Sequence, residues 1–321
     1  MLPLFRIARS MLFLLLLPAA LFPQAQRPQP GQAQPGRAAG RGQVDVWAGK
    51  KHVLMIADPQ EWYGVANYHH QAASHAMAVM EKIGRESGTY VSMIRTDMKL
   101  LTKGVFPGTN IKTLDYFDAI FYMGEGPWNI TDQQKADLLS FVHDDGKGFF
   151  AAHAGNGGSL ILWPEYAEMI GGNLTAEFGT VEMPVIIEDP KFPGMNAFPV
   201  EFKFRDQFTI VGPAGTTKGA TARAAPNYSR DHLRVIMRLD AGKMDLANPS
   251  FARLAPQFRA DNDFPIVWAR QYGKGRVFYS SFGHEDDTMD DIRIQKMYLG
   301  AMEWLLGMVD ADVTPRPLPS H

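Results

Sequence analysis

The sequence predicts an α/β protein: a mostly parallel, doubly wound sheet finished by a C-terminal β-hairpin and a helix. Three observations carry this expectation. Short uncharged apolar runs, such as residues 53–57 and 149–152, suit strands buried on both faces. Segments with helical spacing alternate with them through the first half, the pattern of right-handed parallel crossovers. Near the end, two β-rich runs flank Gly273-Lys274-Gly275, a hairpin signal.

Taken in order, residues 52–57 form the first expected strand, which Asp58-Pro59 ends. A loop over 60–67 carries Trp62 and Tyr63. A helix over 69–86 follows, with Ala72, Ala73, Ala76, Val79, Met80 and Ile83 on one face and Gly88 as its stop. Residues 90–94 are a strand, 99–113 an irregular connection, and 118–123 a strand running into Gly124-Glu125-Gly126-Pro127. Thr131 and Gln134 make a capping box for a helix reaching about His143. The strand 149–152 then delivers His153 into Ala154-Gly155-Asn156-Gly157-Gly158, and a helix over 158–170 stops at Gly171-Gly172.

The second half is richer in strands. Residues 185–188, 201–208 and 233–239 read as strands, separated by polar loops over 212–230 and 241–263. The hairpin arms are 265–272 and 276–282, and the second arm leads into Gly283-His284-Glu285-Asp286-Asp287. A last helix spans 291–306, with Ile294, Met297, Tyr298, Ala301, Trp304 and Leu305 on its packing face.

Composition narrows the function classes. With 32 basic and 34 acidic residues and a formal charge of −2, no basic footprint for nucleic acid is present. Cysteine is absent, which removes disulfides, thiolate metal sites and cysteine nucleophiles, and suits an oxidising compartment. Arg6 and Arg9 precede an apolar run over 11–22 and then Pro23-Gln24-Ala25, the layout of a secretory signal peptide. The other reading is an uncleaved anchor, although the run is short for a bilayer. The expected organisation is a signal peptide over 1–25, a disordered linker over 26–50, one α/β domain over 51–309 and a loose tail over 310–321. The mature chain is then periplasmic or secreted, without a membrane span.

In open α/β sheets, ligands bind beyond the carboxyl ends of the strands. His153 stands at such an end, and so does His284. Imidazole can take a proton, give one, or bind a metal near neutral pH. Glu125, between two glycines after the third strand, is a further catalytic candidate. Trp62 and Trp163 are in loops where an aromatic face can stack on a sugar ring or serve the core. His153 and His284 are also the candidate ligands of a divalent metal; no short ligand spacing such as His-Glu-x-x-His is present, so folding alone would have to bring them together.

Four stretches give the chain a resemblance. They are Tyr68-His69-His70; Gly146-Lys147-Gly148-Phe149-Phe150-Ala151-Ala152-His153-Ala154; Trp163-Pro164-Glu165-Tyr166 leading to Ile170-Gly171-Gly172; and Gly273-Lys274-Gly275-Arg276-Val277-Phe278-Tyr279 running to Gly283-His284. Over residues 53–306 the sequence resembles the ThuA-like (trehalose utilisation) family, whose fold is similar to class I glutamine amidotransferases. The resemblance adds His70 to the catalytic candidates. It departs at Glu177-Phe178, where the family often has His-Pro, and at Asp206-Gln207-Phe208, where it often has Asp-Glu. Glu177 and Asp206 become candidate substrate-binding acids there, against the plainer reading of exposed loop acids. At the place of the amidotransferase cysteine stands His153, which excludes glutamine hydrolysis through a thioester.

With the export expected from the N-terminal segment, the reading is an exported enzyme using His and carboxylate acid–base or metal-assisted chemistry; that its substrate is a sugar or glycoside, including an oxidised keto-sugar, is what the resemblance implies. The alternative is a non-catalytic sugar-binding module on the same fold.

Overall fold

The structure, a computed structural model, describes residues 47, 49–57, 61–62, 65–66, 71–105, 109–124, 128–157, 163–212 and 228–319. In chain order the elements are β1 (His52–Ile56), β2 (Glu61–Trp62), β3 (Val65–Ala66), α1 (Gln71–Ser87), β4 (Val91–Arg95), β5 (Ala119–Met123), α2 (Asp132–His143), β6 (Gly148–Ala152) and α3 (Pro164–Ile170). They continue with β7 (Ala176–Glu177), β8 (Val181–Ile187), β9 (Glu201–Asp206), β10 (Thr209–Ile210), β11 (Arg234–Leu239), β12 (Pro265–Tyr272), β13 (Gly275–Ser280), α4 (Asp286–Asp290) and α5 (Ile292–Leu305).

Nine strands form one sheet in the order β4-β1-β5-β6-β13-β12-β11-β8-β9. The first five run parallel, in the doubly wound order 2-1-3-4-5 when counted along the chain. The remaining four continue the sheet antiparallel, so the strand-rich second half extends the first instead of making its own sheet.

The inner parallel strands β1, β5 and β6 are almost wholly apolar because both faces are covered. On one side Ala119, Phe121 and Met123 of β5 pack with Ala76 and Met80 of α1 and with Met297, Tyr298 and Ala301 of α5. On the other, Ile120 and Tyr122 pack with Leu138 and Phe141 of α2 and with Tyr166 and Ile170 of α3. The expected capping box is made: the Thr131 hydroxyl accepts from Gln134 N at 3.2 Å, and Thr131 N donates to Gln134 Oε1 at 3.1 Å.

The hairpin turn shows why its glycines are there. Gly273 adopts φ 57°, a left-handed conformation that glycine takes at little cost. A Cβ on Gly275 would sit 2.1 Å from the Val142 carbonyl oxygen and 2.5 Å from that of Lys147. Gly275→Ala is therefore expected to lower stability by about 2 kcal/mol or more, because both obstacles are backbone. The midpoint of urea unfolding checks it.

Several expectations need correction. The strand over 201–208 breaks after Asp206, and Thr209–Ile210 pairs instead with Ala176–Glu177 in a separate small sheet. Residues 153–156 form a 3₁₀ turn, and the described part of the following helix is only Pro164–Ile170. The acidic stretch after His284 coils into α4. The tail after Val309 is tied down: Arg276 Nη1 donates to Val309 O at 3.1 Å, Arg234 Nη1 donates to Thr314 O at 3.0 Å, and Val309, Ala311 and Val313 pack on the core. Among the described residues no helix is long and apolar enough to cross a membrane. The apolar run over 11–22 lies outside them, as does most of the expected linker.

Candidate functional site

Two neighbouring parallel strands, β6 and β13, organise the site. Ala152 pairs with Ser280, so the chain leaves the sheet side by side at His153 and Ser281. Just beyond the end of β13, at Gly283, the backbone turns with φ 121° and presents His284 beside His153. The two imidazole centroids are 5.1 Å apart, edge to face at 68°.

His153 carries φ 48°, one of two non-glycine residues with a left-handed backbone among those described. Histidine pays about 1–2 kcal/mol for this conformation, and such residues gather at functional sites. The surroundings hold it in place. Tyr279 Oη donates to the His153 carbonyl at 2.7 Å, and burial pushes that phenol well above its usual range. The Thr209 hydroxyl lies 2.8 Å from Tyr279 Oη and 3.0 Å from Ser281 Oγ.

The imidazole of His153 has a defined tautomer. Its Nδ1 is 3.3 Å from the Ser281 carbonyl, which can only accept, so Nδ1 carries the hydrogen. In the neutral ring Nε2 then holds the lone pair. That atom lies 3.9 Å from Glu177 Oε1. This separation is too long for a direct hydrogen bond, yet one oxygen atom can sit about 2.8 Å from both, with an angle of about 90° between the two contacts. The side chains of His153, Glu177 and His284 are 6%, 16% and 19% exposed, so the cluster is sunk but open on the Glu177 and His284 side.

His284 is held by its own neighbour. Its Nδ1 is 3.0 Å from Glu285 Oε1, which also accepts from the Thr180 hydroxyl at 2.8 Å. The Thr180 bond first, then the His284 bond, hold the Glu285 carboxyl below the usual carboxylate range against partial burial.

Asp206 is fully buried and accepts from Gly283 N at 2.9 Å and Gln207 N at 2.8 Å. It thereby pins the turn that presents His284; it is not the exposed loop acid of the plainer expectation. Burial pushes its carboxyl up to about 6, opposed by those backbone bonds and the His284 charge. The folded state thus binds this proton more tightly than the unfolded chain. The resulting stabilisation is complete below the unfolded value of 3.8 and is lost as pH rises through about 6. Unfolding free energies of the wild type and Asp206→Asn, measured from pH 4 to 7.5, are expected to shift against the wild type by about 3 kcal/mol as pH rises.

The structure therefore gathers His153, His284 and Glu177, with Asp206 directly behind them. Trp163 stands apart in the core, stacked on Tyr166 at 5.5 Å and edge-on to Trp128 at 5.7 Å, with 5% exposure. His70 and Glu125 lie outside the described residues, and Trp62 is described only as backbone of β2. Glu285, Thr180, Ser281 and Tyr279 were missed from the sequence. Glu285 could have been noticed as the carboxylate next to His284; the other three leave no local signal. Among the described residues no group of three or more His, Asp or Glu side chains is placed to hold a metal ion.

A family model described as ThuA, trehalose utilisation, matches residues 61–305. Among solved structures, a ThuA-like protein from Bacteroides uniformis is similar at 17% identity and TM-score 0.56, over 82% of this chain and 95% of that one. A second from Parabacteroides merdae is similar at 15% identity and TM-score 0.53, over 84% and 92%. At these identities the likeness is one of fold. No curated protein matches. The family match covers most of the chain and includes His153, Glu177 and His284: the protein belongs to the ThuA family.

Proposed function

We propose that this protein is an exported enzyme that processes a sugar or glycoside, with keto-sugars included, by acid–base chemistry at His153, His284 and Glu177. The single observation that carries the reading is His153: a left-handed residue at a strand exit, its Nδ1–H given to Ser281 O, with Nε2 aimed towards a carboxylate 3.9 Å away. A neutral imidazole so arranged can take a proton from a hydroxyl, or from carbon next to a carbonyl. Glu177 Oε1 reaches the same oxygen, and His284 stands close enough to return the proton on another side. Carbohydrate comes from the family's description as trehalose utilisation. Export comes from the basic and apolar start of the chain. His70 and Glu125 remain proposed catalytic residues and Trp62 a proposed sugar-stacking ring, whereas Trp163 serves the core and Asp206 acts through the Gly283 turn.

Purified protein incubated with trehalose, other disaccharides and their keto derivatives, with products followed by NMR, tests the reading. Conversion that is lost in His153→Asn supports it. Saturable binding of a sugar without conversion would favour the sugar-binding module instead.

A further inference from the structure

We propose that Glu285 is the positioning residue for His284, and that Thr180 holds Glu285 in place, so that both imidazoles of the site present an unprotonated Nε2 when neutral. The inference deepens the acid–base reading above and rests on it for its catalytic meaning.

The geometry carries it. Each imidazole has its Nδ1 against an oxygen, but the two partners differ. His153 uses the Ser281 carbonyl at 3.3 Å, and His284 uses the Glu285 carboxylate at 3.0 Å. Both oxygens only accept, so each ring carries its hydrogen on Nδ1. Glu285 stands at the N-cap of α4, yet its side chain makes no capping bond. It turns back to His284 instead, and the Thr180 hydroxyl donates to the same Oε1 at 2.8 Å. Thr180 follows Glu177 by three residues, with Phe178 fully buried between them and its backbone N–H bonded to Phe208 O at 2.9 Å. One anchored segment thus sets both histidines: Glu177 faces His153, and Thr180 fixes the carboxylate on His284.

Stability does not account for this arrangement. The Glu285 and His284 side chains are 34% and 19% exposed, and ion pairs at such exposure contribute little to folding. A carboxylate on Nδ1 does have a defined effect on the ring: it fixes tautomer and orientation, the service a carboxylate gives histidine in proton-transfer sites.

The test reads the tautomer directly. Nitrogen-15 spectra of histidine-labelled protein are recorded at about pH 8.5, above the ordinary imidazole range. The His284 signals are identified by their loss in His284→Gln. The wild type is expected to hold the Nδ1–H form in excess. Glu285→Ala is expected to move the ratio of forms roughly tenfold towards Nε2–H, the loss of one hydrogen bond. Glu285→Gln, whose amide oxygen still accepts, is expected to stay near the wild type, and Thr180→Val to fall between. With a converted sugar in hand, Glu285→Ala should lose roughly 10- to 100-fold in kcat with little change in KM. An unchanged ratio in Glu285→Ala overturns the proposal, and a Thr180→Val spectrum identical to the wild type removes Thr180 from it. Absence of any turnover in the wild type would strike the acid–base reading while leaving the tautomer result to stand or fall separately.

Discussion

His153→Asn is expected to leave the protein folded and to reduce sugar conversion by at least about 100-fold, the contribution of a positioned acid–base group. Asparagine is chosen for the backbone. At φ 48° a branched or bulky residue is strained, whereas asparagine enters the left-handed region readily. Its amide can still donate to the Ser281 carbonyl but takes up no proton near neutral pH. Two further variants separate backbone from side chain. His153→Ala and His153→Gly lose the same imidazole contacts, but only alanine bears the left-handed strain, so the glycine variant is expected to be more stable by about 1 kcal/mol. Circular dichroism and urea unfolding measure folding, and NMR of products measures conversion. Full conversion by a folded His153→Asn protein would end the enzymatic reading. Equal stability of the alanine and glycine variants would mean that the left-handed backbone carries no strain.

The largest effect on stability is expected from Arg230, in the turn that precedes β11. Its guanidinium bonds both oxygens of Glu188 at 2.8 Å, and both oxygens of Asp263 at 2.7 and 2.9 Å. The three side chains are 9%, 7% and 1% exposed, and Tyr228 Oη also donates to Asp263 at 2.7 Å. Arg238 approaches the same Glu188 at 2.9 Å. Removing the central cation leaves two buried carboxylates with one fewer partner each, which costs about 3–5 kcal/mol. Arg230→Met is expected to lose that much, and roughly 10 °C in melting temperature. Arg230→Met combined with Asp263→Asn should recover part of it, because one stranded charge is gone. A loss below about 1 kcal/mol would place the network among ion pairs that merely break even.

The sequence made the parallel half of the fold legible because burial on both faces forces a simple pattern. A strand such as Phe149–Ala152 can contain no charge when α2 and α3 cover one face and α1 and α5 the other. The second half was less legible. Strands β8 and β9 alternate or carry exposed charge, as Glu182 and Lys203 show, and such a pattern says which face is wet but not which sheet the strand joins. The small β7–β10 sheet has only two residues per strand, too few for any periodicity. The tail was expected to be loose from its prolines, yet Arg234 and Arg276, more than thirty positions away in sequence, hold it through its carbonyls.

By itself the sequence determined that His153 and His284 each leave a strand at its carboxyl end, that no thiol chemistry is available, and that helices cover both sides of the central strands. Local composition settles these matters, since alternation, capping and residue inventory act over a few positions. Only the tertiary structure decided that the two imidazoles meet at 5.1 Å, that Glu177 comes within 3.9 Å of Nε2, and that Asp206 pins the turn at Gly283. Those distances come from β6 and β13 lying side by side in register, although 128 positions separate His153 from the Ser281 carbonyl that sets its tautomer. Strand pairing is a contest among all the chain's edges, settled by the packing of the whole core and not by any stretch of it.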